Sequence, residues 1–200
     1  MPWLIVGLGN PGPEYELTPH NLGFLTADRL GERHRIRITR PECHALVGAG
    51  KIGQADVLIA KPQTYMNLSG VSVKALLAKY ELKPSDLVLV YDELALPWMQ
   101  LRIRPRGSSA GHNGVQSVIE KLGTAEFARL RIGVNPVATG ESGRSGGQQY
   151  LLSPIRRGLE KELDQLLDNS CNAVESITAE GAEKSMAIYN RSARGEKEEA

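Results

Sequence analysis

Apolar positions along the chain fall into two kinds of run, and the two kinds alternate. Trp3, Leu4, Ile5, Val6, Gly7 and Leu8 form a short continuous stretch that ends in glycines, which predicts a buried strand. Residues 9–19, rich in proline and glycine, predict a loop, and a helix is expected from about His20 to about Gly31. Residues 45–50 and 55–60 predict two strands. Val73, Leu76, Leu77 and Tyr80 fall at i, i+3, i+4 and i+7, the stripe of an amphipathic helix. Residues 87–91 predict another buried strand, and residues 100–104 alternate polar with apolar as a half-exposed strand does. Val115, Val118, Ile119 and Leu122 repeat the helical spacing before a strand at 128–134. Residues 135–147 predict a mobile loop. Leu159, Leu163, Leu166, Leu167, Val174 and Ile177 mark one long C-terminal helix.

Strands that alternate with helices imply an α/β fold with a mostly parallel sheet covered on both faces. No internal repeat and no linker divides the chain. The expected organisation is one domain over residues 1–191, followed by a charged, disordered tail at 192–200. A chain of 200 residues, 41% hydrophobic, can bury a sizeable core. The first strand-like run begins at Trp3, which leaves no room ahead of it for a signal or transit peptide. No apolar run is long enough to span a membrane. Cys43 and Cys171 cannot build a disulfide framework, so a reducing cytoplasm is expected. Cys43-His44 looks like half of a metal site, but no second Cys/His pair lies at ligand spacing.

The net charge of +1 does not announce a nucleic-acid binder, yet the arginines are unevenly placed. Arg29, Arg33, Arg35, Arg37 and Arg40 crowd one segment, Arg102, Arg104 and Arg106 a second, and Arg129 and Arg131 a third. Each cluster reads either as a solvated face or as a phosphate-binding patch.

Residues 7–12 match G-x-G-x-x-G directly after a strand, the fingerprint of a dinucleotide-binding turn. That turn needs a helix to open at its third glycine, with the helix N-terminus facing a pyrophosphate. Here Pro11 pushes Asn10 out of helical geometry, and Gly12-Pro13 is a poor helix start. No acidic residue follows at the end of a second strand to take a ribose. What the loop offers instead is Asn10 at the C-terminal end of the first strand, the edge at which open α/β sheets bind ligands. His20, Asn67, Asp92 and Asn113 lie in other segments that end the same way, and spacing alone does not show that they converge.

These segments, in this order, resemble the bacterial peptidyl-tRNA hydrolase family. They read VGLGNPGPEYELTPHNLGF, KPQTYMNLSG, VYDELALP, RGSSAGHNGVQSVI and FARLRIGV, and run in register from residue 6 to residue 134. YLLSPI and SMAIYN resemble the family's C-terminal part. The resemblance implies a monomeric α/β protein with a mixed sheet between helices. It also implies hydrolysis of the ester between a peptide carboxyl and the terminal ribose of tRNA, with peptidyl-tRNA as partner, no membrane and no cofactor. His20 stands where the family has its general base, and Asp92 where it has the partner that orients that base. Asn10, Asn67 and Asn113 match residues that place substrate and water, and Tyr15 and Tyr65 are expected at the substrate as well. Arg104 and Arg131 match a clamp on the tRNA 5′ phosphate.

The chemistry suits those roles. Histidine titrates near neutrality and can take a proton from water, while a carboxylate on its other nitrogen fixes the tautomer. Asparagine amides can donate to an oxyanion and accept from a peptide N–H. The rival device is a G-x-S-x-G nucleophile elbow; Gly107-Ser108-Ser109-Ala110-Gly111 has that spacing but is expected to lack the strand-to-helix turn that an elbow needs. His112 either shapes the glycine turn before its helix or touches substrate; His34 and His44 are expected to be surface or structural. Two positions depart from the family pattern, Pro19 where an arginine is usual and Ala95 where an aspartate is usual. The resemblance also extends to plant organelle relatives that serve RNA splicing, so a binding-only protein stands as the alternative.

Overall fold

The computed structural model describes residues 1–136 and 147–190. Seven strands form one sheet: β1 (Trp3–Gly7), β2 (Arg40–Glu42), β3 (Ala45–Ile52), β4 (Ala55–Pro62), β5 (Leu87–Pro97), β6 (Leu101–Arg104) and β7 (Ala128–Asn135). Their order is β2-β3-β4-β1-β5-β7-β6. The pairs β4–β1, β1–β5 and β5–β7 are parallel, and β3 and β6 run against the rest. The helices are α1 (Leu22–His34), α2 (Ser69–Lys79), α3 (Asn113–Leu122), α4 (Gly147–Leu151), α5 (Glu160–Glu180) and α6 (Ala182–Tyr189). The mixed, mostly parallel α/β sheet is therefore the one that the hydrophobic pattern implies.

The period-two alternation of the strands sorts the core into two layers. Leu4 and Val6 of β1, with Leu87, Leu89 and Tyr91 of β5, pack under α2 and α3. Ile5, Val88 and Val90 point the other way and pack under α1 and α5. All eight side chains are at most 1% exposed, so the central strands are buried on both faces and read as unbroken apolar runs.

Several elements differ from the sequence reading. The first helix is entered through a 3-10 turn, Pro19–Asn21. Pro19 takes its first position, where a missing N–H costs nothing, and Thr18 is extended (φ −103°, ψ 153°) as a residue before proline must be. β5 runs on past Tyr91 to Pro97 because β7 keeps pairing with it through Glu93↔Gly133. The polar pair Asp92-Glu93 hid that continuation. The C-terminal helix ends at Gly181 (φ 86°), where α6 begins. Gly147, expected in a loop, opens α4. The rest of the expected mobile loop, 137–146, and the expected tail at 192–200 lie outside the described residues.

The glycines of the G-x-G run serve packing. A β-carbon on Gly23 would collide with Leu8 N and Val90 O, and one on Gly7 with Gly23 O. The start of α1 is thus pressed onto the end of β1, and Phe24 N–H donates to Leu8 O at 3.2 Å. Cys43 and His44, both at positive φ (49° and 58°), form the two-residue turn between β2 and β3, a hairpin geometry rather than a metal knuckle.

The first arginine cluster is largely spent on structure. Arg29 bonds Asp164 and Asp168 of α5, and Arg33 bonds Asp168 and Glu175. His34 Nε2 lies 2.8 Å from Glu175 Oε1. These contacts lace α1 to α5 at the surface, where each pair contributes ~0–1 kcal/mol.

Candidate active site

The loop after β1, the turns Pro19–Asn21 and Met66–Leu68, strand β5 and the start of α3 deliver polar side chains to one cavity of about 360 Å³ at the C-terminal edge of the parallel strands. Asn10, His20, Asn67, Asp92 and Asn113 all line it, so the convergence that spacing left open is present. Tyr65 lines it too and is exposed, whereas Tyr15 does not. Tyr15 sits in the 3-10 turn Pro13–Tyr15, where its carbonyl takes the Thr18 hydroxyl at 2.8 Å. Leu94, Leu151 and Leu152 supply an apolar wall.

Asp92 is the most constrained group in the site. It is 1% exposed, and its two oxygens are divided between two imidazoles. Oδ2 lies 2.8 Å from His20 Nδ1, and Oδ1 lies 3.0 Å from His112 Nε2. Burial pushes its pKa up, but the interactions with His112, then those with His20, outweigh burial and hold the carboxyl well below the usual carboxylate range. An ionised Asp92 only accepts, so each imidazole must donate to it. His20 therefore carries its proton on Nδ1, and Nε2 is left as a free lone pair in a residue that faces the cavity.

His112 resolves toward the turn-shaping role and adds a second one. It is the N-cap of α3: Nδ1 accepts from Gly114 N at 3.1 Å and from Val115 N at 3.3 Å. With Nδ1 accepting, the ring proton sits on Nε2 and points at Asp92. His20, Asp92 and His112 offer ligand atoms within 4.8 Å of one another. They do not suit a cation, because His112 Nε2 would have to lose its proton while Nδ1 still caps the helix. The sequence held one clue to this residue: it stands just ahead of the apolar stripe Val115, Val118, Ile119 and Leu122, the place of an N-cap.

Asn10 is 8% exposed and locked. Its Oδ1 accepts from Met66 N at 2.8 Å, so its Nδ2 donors are left for the cavity it lines. Asn67 and Asn113 are exposed at the cavity mouth. The fourth asparagine, Asn21, went unnoticed in the sequence. Its side chain bonds both backbone groups of Asn10, at 2.8 and 3.0 Å.

The arginines lie apart from the cavity, on the β6–β7 edge. Arg104 is half-buried, and burial lowers its pKa, with the charges of Arg102 and Arg131 adding to the effect. Arg131 Nε and Nη2 both donate to Glu93 Oε2, at 3.1 and 2.9 Å. Glu93 Oε1 accepts from Ala95 N, so the Ala95 position serves the strand through its backbone. Arg129 is buried and donates to Ser108 O and Ala125 O.

The sequence model described as peptidyl-tRNA hydrolase matches residues 4–198. The chain belongs to the peptidyl-tRNA hydrolase family. A peptidyl-tRNA hydrolase of Solibacter usitatus is 51% identical over 193 residues, 96% of each chain. One of Koribacter versatilis is 48% identical over 189 residues, covering 94% of this chain and 92% of its own. The crystal structure of peptidyl-tRNA hydrolase from Acinetobacter baumannii superposes with a TM-score of 0.85 at 30% identity and covers 94% of both chains. Among the described residues, no helix is long and apolar enough to cross a membrane.

Proposed function

We propose that this chain hydrolyses the ester of peptidyl-tRNA with a water activated by His20. The observation that carries the reading is the His20–Asp92 contact at 2.8 Å, which leaves His20 Nε2 unprotonated in a cavity ringed by Asn10, Asn67 and Asn113. Nε2 takes a proton from water as the oxygen attacks the ester carbonyl. The new C–O bond gives a tetrahedral intermediate whose oxyanion accepts hydrogen bonds from the asparagine amides. Its collapse breaks the bond to the ribose oxygen, and the His20 imidazolium returns the proton to that leaving oxygen. Asp92 stabilises the imidazolium in between, and His112 keeps Asp92 in place.

The apolar wall of Leu94, Leu151 and Leu152 lies where side chains of the peptide can rest, with Asn67, Asn113 and Tyr65 contacting the peptide end. Arg104 and Arg131 hold the tRNA 5′ phosphate, so that binding energy remote from the ester selects the substrate. The protein works as a monomer, a single domain over residues 1–191, in the cytoplasm and without a cofactor. The test is release of free tRNA from N-acetyl-aminoacyl-tRNA by the purified chain, with the unblocked aminoacyl-tRNA spared. Tight tRNA binding with no release would support the binding-only alternative instead.

A further inference from the structure

Asn21 follows His20 directly, yet it does not line the cavity that holds His20. It is 2% exposed and makes no capping bond to α1, although it occupies the N-cap position. Its side chain turns instead to Asn10. Asn21 Oδ1 accepts from Asn10 N at 2.8 Å, and Asn21 Nδ2 donates to Asn10 O at 3.0 Å. One planar amide thus satisfies both backbone groups of one residue, as a strand neighbour would. Asn10 passes the link on, because its Oδ1 accepts from Met66 N at 2.8 Å. Met66 is 5% exposed and precedes Asn67.

These bonds join three segments that are distant in sequence. The loop after β1 carries Asn10, the turn Pro19–Asn21 carries His20, and the turn Met66–Leu68 carries Asn67. Each contributes one polar group to the cavity, and none is joined to another by a sheet ladder. We propose that Asn21 is a positioning residue, which sets the separation of His20, Asn10 and Asn67 through its paired bonds to the Asn10 backbone. It touches neither water nor ester. Resting on the hydrolase reading, the inference predicts an effect on kcat rather than on tRNA affinity, since the arginines that hold the phosphate lie elsewhere.

Residue chemistry makes the prediction specific. Aspartate at 21 keeps the acceptor for Asn10 N–H but sets a carboxylate oxygen against Asn10 O. Alanine loses both bonds and leaves two buried backbone groups of Asn10 unpaired. A misplacement of about 1 Å can cost ~10²-fold in rate.

The experiment combines kinetics with amide hydrogen exchange on the full chain. Asn21→Ala should lower kcat by ~10–100-fold with KM within about twofold of wild type. The Asn10 and Met66 amide protons should lose protection while those of β5 keep theirs. In an Asn10→Ala background, which already breaks the link to Met66, adding Asn21→Ala should cost much less than it does alone. If Asn21→Ala fails to fold, Asn21→Asp is expected to show the same pattern in milder form. Wild-type kcat in both variants would overturn the proposal, and so would a full additive loss in the Asn10→Ala background. A wild type that releases no tRNA would sink the hydrolase reading instead, while unchanged exchange at Asn10 and Met66 in Asn21→Ala would show separately that Asn21 holds nothing.

Discussion

His112 Nε2 lies 3.0 Å from Asp92 Oδ1, on the carboxylate oxygen that His20 leaves free. The carboxylate is therefore gripped from both sides, and the second grip is anchored in the first turn of α3 through His112 Nδ1. Replacing His112 separates its two jobs. Asparagine caps helices well but is too short to keep the bond to Asp92. His112→Asn should retain most of the thermal stability and lose activity, by ~10-fold for a neutral-donor bond of about 1–1.5 kcal/mol. His112→Ala should lose both, with ~0.5–2 kcal/mol of stability going with the cap. Full activity in His112→Asn would show that His20 alone orients Asp92.

His20→Ala removes the one group among the described residues of the cavity whose free lone pair shares a ring with a carboxylate-bound proton. Turnover of N-acetyl-aminoacyl-tRNA should fall by at least ~10²–10⁴-fold, the usual worth of general-base work. Binding of uncharged tRNA should stay the same, as measured by direct titration. A variant with wild-type turnover across neutral pH would mean that another group takes the proton.

Asp92 sets a sign for the pH dependence. Its folded pKa lies below the usual value of ~3.9, so the stability it contributes is complete above that value and is lost as pH falls through the folded one. Between pH 5 and 8 the carboxylate does not titrate. Asp92→Asn should then lower the plateau of kcat/KM without removing an ionisation from the profile in that range. Disappearance of a limb in Asp92→Asn would assign that limb to the carboxylate and overturn the ionisation state argued from its two donors.

Much of this was legible in the chain, for physical reasons that differ by element. The central strands could be read because burial on both faces leaves unbroken apolar runs, as at Leu87–Tyr91. The end of β5 could not, because Asp92 and Glu93 are polar residues kept in a strand by tertiary partners, His20 and His112 for one and Arg131 for the other. The prolines of the G-x-G-x-x-G run argue against a phosphate loop, but the purpose of Gly7 and Gly23 depends on a contact between helix and strand that no local pattern encodes. Asn21 was invisible for the same reason, since its partners are backbone groups eleven residues away. The convergence of Asn10, His20, Asn67, Asp92 and Asn113 follows from strand order, which sequence alone did not supply.

Gly23→Ala tests the close seat of α1 on β1. The added methyl would meet Leu8 N and Val90 O, backbone atoms inside the core that cannot turn aside. Overpacking of this kind costs ~1–3 kcal/mol, and the shift needed to relieve it would also move the neighbouring turn that carries His20. Chemical denaturation should show the loss as a lower midpoint with an unchanged slope. Wild-type stability in Gly23→Ala would mean that α1 stands off the strand by more than the structure shows.

The arginine pair makes a prediction about where substrate affinity comes from. Arg104 is disfavoured as a cation by burial and by the charges of Arg102 and Arg131, so a phosphate dianion placed among them would relieve repulsion as well as gain hydrogen bonds. Arg131 reaches such a phosphate differently from the free two-pronged fork expected of an unpaired arginine. Nε and Nη2 are held by Glu93, which fixes the guanidinium and leaves Nη1 to donate. Arg104 should therefore carry more of the affinity than Arg131. A matched pair of substrates, one with the 5′ phosphate and one enzymatically dephosphorylated, reads this directly. The wild type should prefer the phosphorylated substrate through a lower KM, and Arg104→Ala should erase most of that preference with little change in kcat at saturation. Arg131→Ala should erase less of it. Affinity should weaken with salt along a shallow slope, that of a few phosphate contacts, since the net charge of +1 supplies no broad attractive field. With Arg29 and Arg33 already bound to α5, the cluster at 29–40 is a poor substitute clamp. If Arg104→Ala and Arg131→Ala both discriminate the two substrates as sharply as the wild type does, the phosphate is held neither by this pair nor by the β6–β7 edge on which they stand.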